Sequence, residues 1–534
     1  MRRDEGIRRF GVAAFRIVFW TFGSRLLGLV RDRLMVAAFG RGAAMSAFHL
    51  AWVVPNLFRR LLGEGALTAA FVPVLTKQLD EHGVDVGRRS FAAVVGAVLL
   101  LLLGLVVCGA AVVLLLPSAW ITRSGTSGAD YAELLRTLLL VLLPYLLPVS
   151  LMTLAAAAQN VTGRFALPAA APLVLNVVWV GGMLYLMQTD LPAGTKIVAI
   201  AGVVLFGGVC QLAVQLPGLH ASGLLTWPRF DLRDASVRRV ARNMAPVVVG
   251  LSVLQLNTLM TQVIAVYLVE ATGANTILFL ANRMFEFPHA LLGVALGTAV
   301  FPLLSLLGGR GDEHGMRDAL DRALSLGMFL AIPAAVGLFV LARPALTVLF
   351  VSGQFGVASA HEAAAVLRVL CFALPGLIAV QILARAHYAL GDMRTPVRIA
   401  IALFVVAQVL NVTLAPIWGT RGLAFSSAFA ATANAIGLMV ALRRRALPGG
   451  TGRVRAAFVR AGIASLPTGL TALAGLALGE RWVGQSDALL LRVLCHLVFP
   501  AVLGVGAFLV SVHLLRAKEW TEIVAALRSR RSRR

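Results

Sequence analysis

The sequence predicts an all-α integral membrane protein with about fourteen transmembrane helices, arranged as two parallel-related six-helix lobes plus a C-terminal helix pair. Three observations predict it. First, the chain has 534 residues, 59% of them hydrophobic and only 13% charged, with a mean hydropathy of +0.86. Soluble domains are roughly a quarter charged, so this chain has too little polar surface for a water-exposed globule. Second, the apolar residues fall in blocks of about 20, the length that crosses a hydrocarbon core, where helices satisfy their own backbone hydrogen bonds. Third, Lys and Arg alternate between the loops that separate those blocks.

The elements follow in order. The chain opens MRRDEGIRRF, and its first apolar block, 11–38, is broken by Arg16, Arg25, Arg31, Asp32 and Arg33. Many full-length blocks follow, so this one reads as a retained first helix and not as a secretory signal. Span 2 covers 46–76 and contains Arg59, Arg60 and Glu64. Spans 3 to 6 cover 91–116, 133–158, 168–187 and 197–217 and complete an N-terminal lobe, 1–217. A basic cytoplasmic linker, 218–236, leads to spans 7 to 12 at 237–269, 276–306, 323–342, 362–384, 399–416 and 422–442, the C-terminal lobe of 237–445. Spans 13 and 14, 461–478 and 490–515, form an appended pair within 456–516, and 517–534 is a basic cytoplasmic tail. Pro55, Pro73, Pro144, Pro148, Pro288, Pro302 and Pro375 lie in or near these spans and permit kinks.

Orientation comes from the loops. Alternate loops counted from the N-terminus, with 218–242 counted as one loop, carry 32 of the 48 Lys and Arg residues; the opposite loops carry 6, and the other ten, all arginines, lie within spans. Positive loops stay inside, so the chain is expected in the cell inner (plasma) membrane with both termini cytoplasmic. The net charge of +24 is therefore mostly topology, and its dispersal over short loops argues against nucleic acid. The tail RSRRSRR suits anionic headgroups. Trp120, Trp227, Trp418, Trp482 and Trp520 lie near span ends, where an interfacial aromatic belt places them.

An internal repeat supports two lobes. Leu61-Leu62-Gly63 and Thr68–Phe71 match Leu291-Leu292-Gly293 and Thr298–Phe301 at an offset of 230 residues; Gly163 and Pro168 match Gly391 and Pro396 at 228. The pairs join span 2 to span 8 and span 4 to span 10. A six-helix unit is even, so both copies share one orientation, as in transporters whose substrate site lies between parallel repeats.

The charges inside the spans are the functional candidates. Arg25, Arg31, Asp32, Arg33, Arg59, Arg60, Glu64, Arg283 and Glu286 fall in or at the ends of spans 1, 2 and 8. A mid-helix arginine costs roughly 2.5–3.5 kcal/mol on insertion, so such residues face a partner or an aqueous cavity unless they snorkel to the interface. Asp32, Glu64 and Glu286 serve as supporting charges that neutralise neighbouring arginines or gate. The excess of arginine points to an anionic cargo, because a guanidinium fork matches phosphate oxygens and stays charged when partly desolvated. No cofactor, catalytic residue or metal site is expected. Cys108, Cys210, Cys371 and Cys495 lie apart with no CxxC spacing, and the nine histidines read as scattered and unpaired. No Walker A, GxGxxG or DxD sequence suggests nucleotide use. A membrane-embedded glycosyltransferase or phosphatase would need an acid or His constellation, and a non-transporting scaffold would not need arginines in mid-span.

The run S-R-x-L-G-x-x-R-D at Ser24–Asp32 resembles the opening helix of the lipid II flippases (MurJ/MviN). F-x-x-A-x-x-x-P-N-L-x-R-R-x-x-x-E-G-A at Phe48–Ala66, continuing to Pro73, and N-R-x-x-E-F-P-x-x-L-L-G-V-A-L-G-T at Asn282–Thr298 are similar to that family's second and eighth helices. The family sits in the multidrug/oligosaccharidyl-lipid/polysaccharide exporter superfamily. The resemblance implies a flippase that moves lipid-linked peptidoglycan precursor from the cytoplasmic to the periplasmic leaflet by alternating access. By matching position it assigns the cavity arginines that bind the diphosphate to Arg25, Arg31, Arg59 and Arg283, and their associated acids to Asp32, Glu64 and Glu286. It implies a lipid-tail groove along spans 13 and 14. The expected partners are that precursor, membrane phospholipids and the cell-wall synthesis machinery, with the chain a monomer. The alternative is an exporter of another lipid-linked oligosaccharide of the same superfamily. Ser46, Val53 and Asn282 stand where the family often has an acid, a lysine and an aspartate. Some members bind sodium between spans 7 and 11; here span 7 has no acid, Asn257 and Asn411 are the main polar candidates, and no sodium site is expected.

Overall fold

The computed structural model describes residues 2–61, 67–117, 128–444, 452–483 and 488–521. The described residues are helical throughout their spans: α1 (Arg2–Phe39), α2 (Ala43–Phe58), α3 (Leu67–Leu115), α4 (Gly128–Leu142), α5 (Leu146–Val161), α6 (Ala166–Met187), α7 (Ala193–Ala213), α8 (Leu216–Ala221), α9 (Ala235–Tyr267), α10 (Ala274–His289), α11 (Ala295–Gly309), α12 (Glu313–Phe350), α13 (Val357–Cys371), α14 (Ala373–Ala389), α15 (Arg394–Trp418), α16 (Thr420–Arg444), α17 (Gly452–Val483), α18 (Leu489–Val493) and α19 (Phe499–Leu514). A 3-10 turn, Leu143–Tyr145, joins α4 to α5. π-Helical turns join α10 to α11 at Ala290–Val294 and α18 to α19 at Leu494–Val498.

Eleven helices or continuous helical runs among the described residues are long and apolar enough to cross a membrane, or twelve if the bent pair α13–α14 is one span. In chain order these correspond to expected spans 3 to 14. Spans 1 and 2 fail that test for physical reasons. α1 carries the charges noted above. The second span is divided between the 16-residue α2 and the start of α3, with 62–66 outside the described residues.

The loop expected at 77–90 is helical instead. α3 runs through it and breaks only at Gly83, whose φ of 79° favours glycine. Pairs one turn apart support this stretch: Lys77 lies 3.7 Å from Glu81, and Arg88 lies 3.0 Å from Asp85. Several other helices outrun their apolar blocks. α12 begins ten residues before its block because Asp312 caps it, accepting from the Gly315 N–H at 2.8 Å. α13 and α14 bend by 43° at Phe372, three residues before Pro375, whose ring cannot accommodate a regular preceding turn.

Contacts divide the chain into two compact units, Met1–Tyr267 with Ser352–Gln354, and Leu268–Val351 with Phe355–Arg534. In the first unit α1 packs on α6, α2 on α4, and α3 on α5 and α9. Its core contains Leu67, Phe71, Leu75, Phe91, Leu102, Leu146 and Leu154. α9 joins this unit because Val240, with Val237, Met244 and Leu251, packs into the same core; the division thus falls one helix after the 218–236 linker. Gln159, Gln211 and Gln215 are buried here and satisfied in part by one another and by the carbonyls of Ala171 and Leu167. In the second unit α12 packs on α13 and α17, α17 on α19, and α16 on α14 and α15. Phe329, Ala461, Ala464, Phe508 and Val512 form a separate core cluster. There the buried Glu519 accepts a hydrogen bond from Arg460 at 2.5 Å, holding the chain after α19 against α17.

Candidate functional site

In the first unit the predicted charges of α1 sit against α6. Arg31 donates from Nε and Nη2 to Asp32 Oδ1 at 2.9 and 2.7 Å. Its Nη1 donates to Asn176 Oδ1 at 3.0 Å, and its Cζ lies 4.5 Å from the centroid of a Trp179 ring. Asn176 in turn donates from Nδ2 to the Ser24 carbonyl at 3.0 Å and to Ser24 Oγ at 3.2 Å. Helical geometry explains the grouping. Asn176 and Trp179 are three residues apart and so share a face of α6, and Ser24 and Arg31 are two turns apart on α1. Asp32 and Asn176 are buried, and the Arg31 side chain is 16% exposed. Charge-assisted hydrogen bonds and a cation–π contact therefore replace the water that this guanidinium loses.

Aromatic residues surround Trp179. Phe48, Trp52 and Tyr145 form successive ring contacts with it or with one another at 5.2–6.5 Å. Asn176, Trp179 and these rings carry no motif. Their one sequence signal is a polar Asn three residues before a Trp in an apolar span.

Arg25 is exposed on α1, and its guanidinium makes no hydrogen bond or ion pair among the described residues. Arg59 is half-buried and donates from Nε and Nη2 to Asn56 Oδ1 at 3.1 and 2.9 Å. Residues 59–61 are π-helical, as are 290–294. These are the two positions that the 230-residue repeat aligns, and π-turns of this kind concentrate at functional sites. Glu64 lies outside the described residues. In the second unit Arg283 is half-buried on α10 and Glu286, one turn on, is exposed. Asn282 donates to the Leu278 carbonyl at 2.9 Å, and His289 stacks on Phe285 at 6.2 Å. The structure thus joins Arg31 to Asp32 and places Arg25 and Arg59 in the same unit, with Arg283 and Glu286 in the other.

One expectation is corrected. The histidines are not all unpaired. His387, buried at the end of α14, has Nδ1 3.1 Å from Asp392 Oδ2 and Nε2 3.2 Å from the Leu438 carbonyl. The pair forms because the chain turns back within five residues, which a spacing argument along one helix overlooks. His361 also accepts a hydrogen bond from Arg343 Nε at 2.8 Å. The four cysteines are free, and no group of His, Cys, Asp and Glu able to hold a metal occurs among the described residues. Of the predicted cations, Arg31 is held by Asp32 and Asn176, and Arg59 by Asn56.

Residues 35–496 match the family model described as lipid II flippase MurJ. That stretch takes in Arg59, Glu64, Arg283 and Glu286 and begins just after Arg31 and Asp32. The lipid II flippase MurJ of Burkholderia cenocepacia is 35% identical over 439 residues, covering 80% of this chain and 83% of its own. A probable lipid II flippase MurJ of Vibrio cholerae is 34% identical over 422 residues, covering 78% and 79%. A solved lipid II flippase MurJ in an inward closed conformation shares the fold, with a TM-score of 0.75, 20% identity and coverage of 93% of this chain and 98% of that one. An inward-facing multidrug resistance transporter of the MATE family aligns with a TM-score of 0.62 at 15% identity, covering 81% and 95%. The chain belongs to the lipid II flippase MurJ family, a family of transporters.

Proposed function

We propose that this chain carries lipid II from the cytoplasmic to the periplasmic leaflet of the inner membrane by alternating access between its lobes, 1–217 and 237–445. The observation that carries the reading is Arg31, a guanidinium held by Asp32, Asn176 and Trp179 on apolar helices, in a member of a lipid II flippase family. A cation kept at that cost has an anionic counterpart. Arg25, Arg31, Arg59 and Arg283 bind the diphosphate head in an aqueous cavity. Asp32, Glu64 and Glu286 balance them and gate the cycle. The diphosphate competes with Asp32 for Arg31, and the planar fork suits either partner. The prenyl tail stays in lipid along 456–516.

The full topology has fourteen spans, with α1 contributing the first, and α2 together with the start of α3 the second. The 32-to-6 charge bias supports both termini being cytoplasmic. The repeated π-turn supports a six-helix repeat. The chain acts as a monomer alongside the cell-wall synthesis machinery and uses no cofactor.

Depletion of the protein tests the function. Lipid II is expected to accumulate in the inner leaflet; accumulation of a different lipid-linked oligosaccharide would assign the chain to that cargo instead. Arg25, Arg31, Arg59 or Arg283 replaced singly by Ala should abolish complementation at normal membrane levels, and Arg31→Lys should rescue only partly. Full growth of all four alanine variants would remove the arginines from the mechanism.

A further inference from the structure

The chain from the end of α8 into the first turns of α9 is fastened to the first unit at three points. Leu224 and Val240 are buried in its core, and between them the Arg229 N–H donates to the Ala92 carbonyl at 2.9 Å. The close approach depends on Gly96, where a Cβ would lie 2.2 Å from the Arg229 carbonyl oxygen. This contact fixes the depth of the segment. Arg88 and Arg89 are exposed on α3, and Ala92 lies about 4.5 Å beyond Arg89 along the helix axis, at the start of the apolar run that begins at Phe91. The loop backbone therefore crosses α3 where charged residues give way to apolar ones.

Between its anchors the segment turns apolar side chains outward. Trp227 is 89% exposed, Phe230 60% and Leu232 58%. Cations alternate with them and follow them: Arg229, Arg233, Arg238, Arg239 and Arg242, all exposed. Two acids are already committed. Asp231 accepts from the Arg233 N–H and lies 3.8 Å from Arg229, and Asp234 accepts from the Ser236 N–H at the start of α9. Arg233, Arg238, Arg239 and Arg242 make no ion pair among the described residues. Three of these lie in the first turns of α9, where the helix dipole disfavours cations and favours anions. Helix stability therefore does not account for them.

We propose that residues 225–242 are an interfacial anchor for the cytoplasmic leaflet. Trp227, Phe230 and Leu232 enter the boundary between headgroups and acyl chains, and Arg233, Arg238, Arg239 and Arg242 collect anionic phospholipid headgroups. The exposed apolar trio selects a lipid surface over a soluble polyanion, because only a bilayer offers both an apolar phase and phosphates within a few ångströms. The anchor rests on reading α3 and α9 as membrane spans, and on neither the cargo nor the energy source.

The test uses the full chain in symmetric bilayers of phosphatidylglycerol and phosphatidylcholine, so it does not depend on which leaflet is inside. An environment-sensitive fluorophore is attached at Trp227→Cys, with the four native cysteines replaced by Ser. Bromines are carried either on the phosphatidylglycerol or, at the same mole fraction, on the phosphatidylcholine. Brominated phosphatidylglycerol should quench at least about twofold more strongly, since each arginine near the surface favours an anionic lipid severalfold. A label at Phe206→Cys, on the exposed face of α7, should report parity. Arg233, Arg238, Arg239 and Arg242 replaced together by Gln should bring the Trp227 site to parity. In the chain with its cysteines intact, the tryptophan quenching lost on Trp227→Phe should show the same preference. Parity at the Trp227 site in the parent chain overturns the proposal, as does quenching by neither lipid or a preference that survives the four glutamines.

Discussion

Arg31 shows what a charged side chain needs in order to persist in an apolar helix: an adjacent acid, a neutral acceptor and an aromatic face. Asp32 alone would leave Nη1 without a partner. Asn176 supplies one and uses its own amide to grip Ser24, so one side chain fixes both the arginine and the seam between α1 and α6. Asn176→Ala removes a hydrogen bond to a charged group in a buried setting. It should cost about 1.5–3 kcal/mol, visible as a lower Tm in detergent, with a further loss of export relative to a variant of equal Tm elsewhere. An unchanged Tm would mean that the seam does not depend on it. Arg31 and Asp32 were legible because charges inside an apolar block stand out. Asn176 was not, since its partner lies 145 residues away and a single Asn in a span carries no sign of what it faces. The His387–Asp392 pair was hidden for a related reason, as the two meet only after the chain turns at the end of α14. Asp392 also accepts from the Thr395 N–H at the start of α15. Asp392→Ala should therefore destabilise the protein by about 3–5 kcal/mol, the cost of breaking a buried pair, checked by thermal unfolding of the second unit's tryptophans.

Among the elements, the apolar blocks located most helices, and their ends were set by other physics. A hydropathy block stops where charge begins, whereas a helix continues until something breaks or caps it. Asp312 starts α12 well outside its block, and Gly83 is the one break in a stretch that its charges had marked as a loop. The first two spans were read as apolar blocks, and neither passes the length-and-apolarity test among the described residues, because charges interrupt α1 and the second block is divided between α2 and α3. The docking of the linker on α3 was not legible at all, because Gly96 is one of many glycines and only its contact with Arg229 distinguishes it. Gly96→Val should push the linker off α3. Limited trypsin digestion in detergent should then cut after Arg229 and Arg233 at least several times faster, while cuts after Arg310 keep their rate. Equal rates in parent and variant would show that the close approach does not hold the segment.

For the whole molecule, topology and energy source are linked. Cysteine probes near Arg123 and Arg481 should react with an impermeant reagent from outside, and probes near Arg310 and Arg453 should not; the reverse pattern would overturn the proposed orientation. With that orientation, the membrane potential, negative inside, acts directly on the cargo. An anionic head moving outward gains roughly 2.3 kcal/mol per charge per 100 mV. When the arginines neutralise the bound diphosphate, the loaded step carries little net charge. The field then bears on the empty cavity, whose cations must return inward. That return runs down the same field, because cations move towards the negative side. In the proposed cycle, one potential therefore draws the unloaded, arginine-rich state back to face the cytoplasm. Collapsing the potential with an ionophore should shift the unloaded protein towards its outward-open state, read as faster labelling of a cysteine beside Arg25 by an external reagent, and should slow export. Arg283→Gln, with one cavity charge fewer, should show a smaller shift. If labelling and export both stay constant when the potential is removed, the field is not the driver, and the gradient of an ion or the consumption of lipid II outside must supply the work.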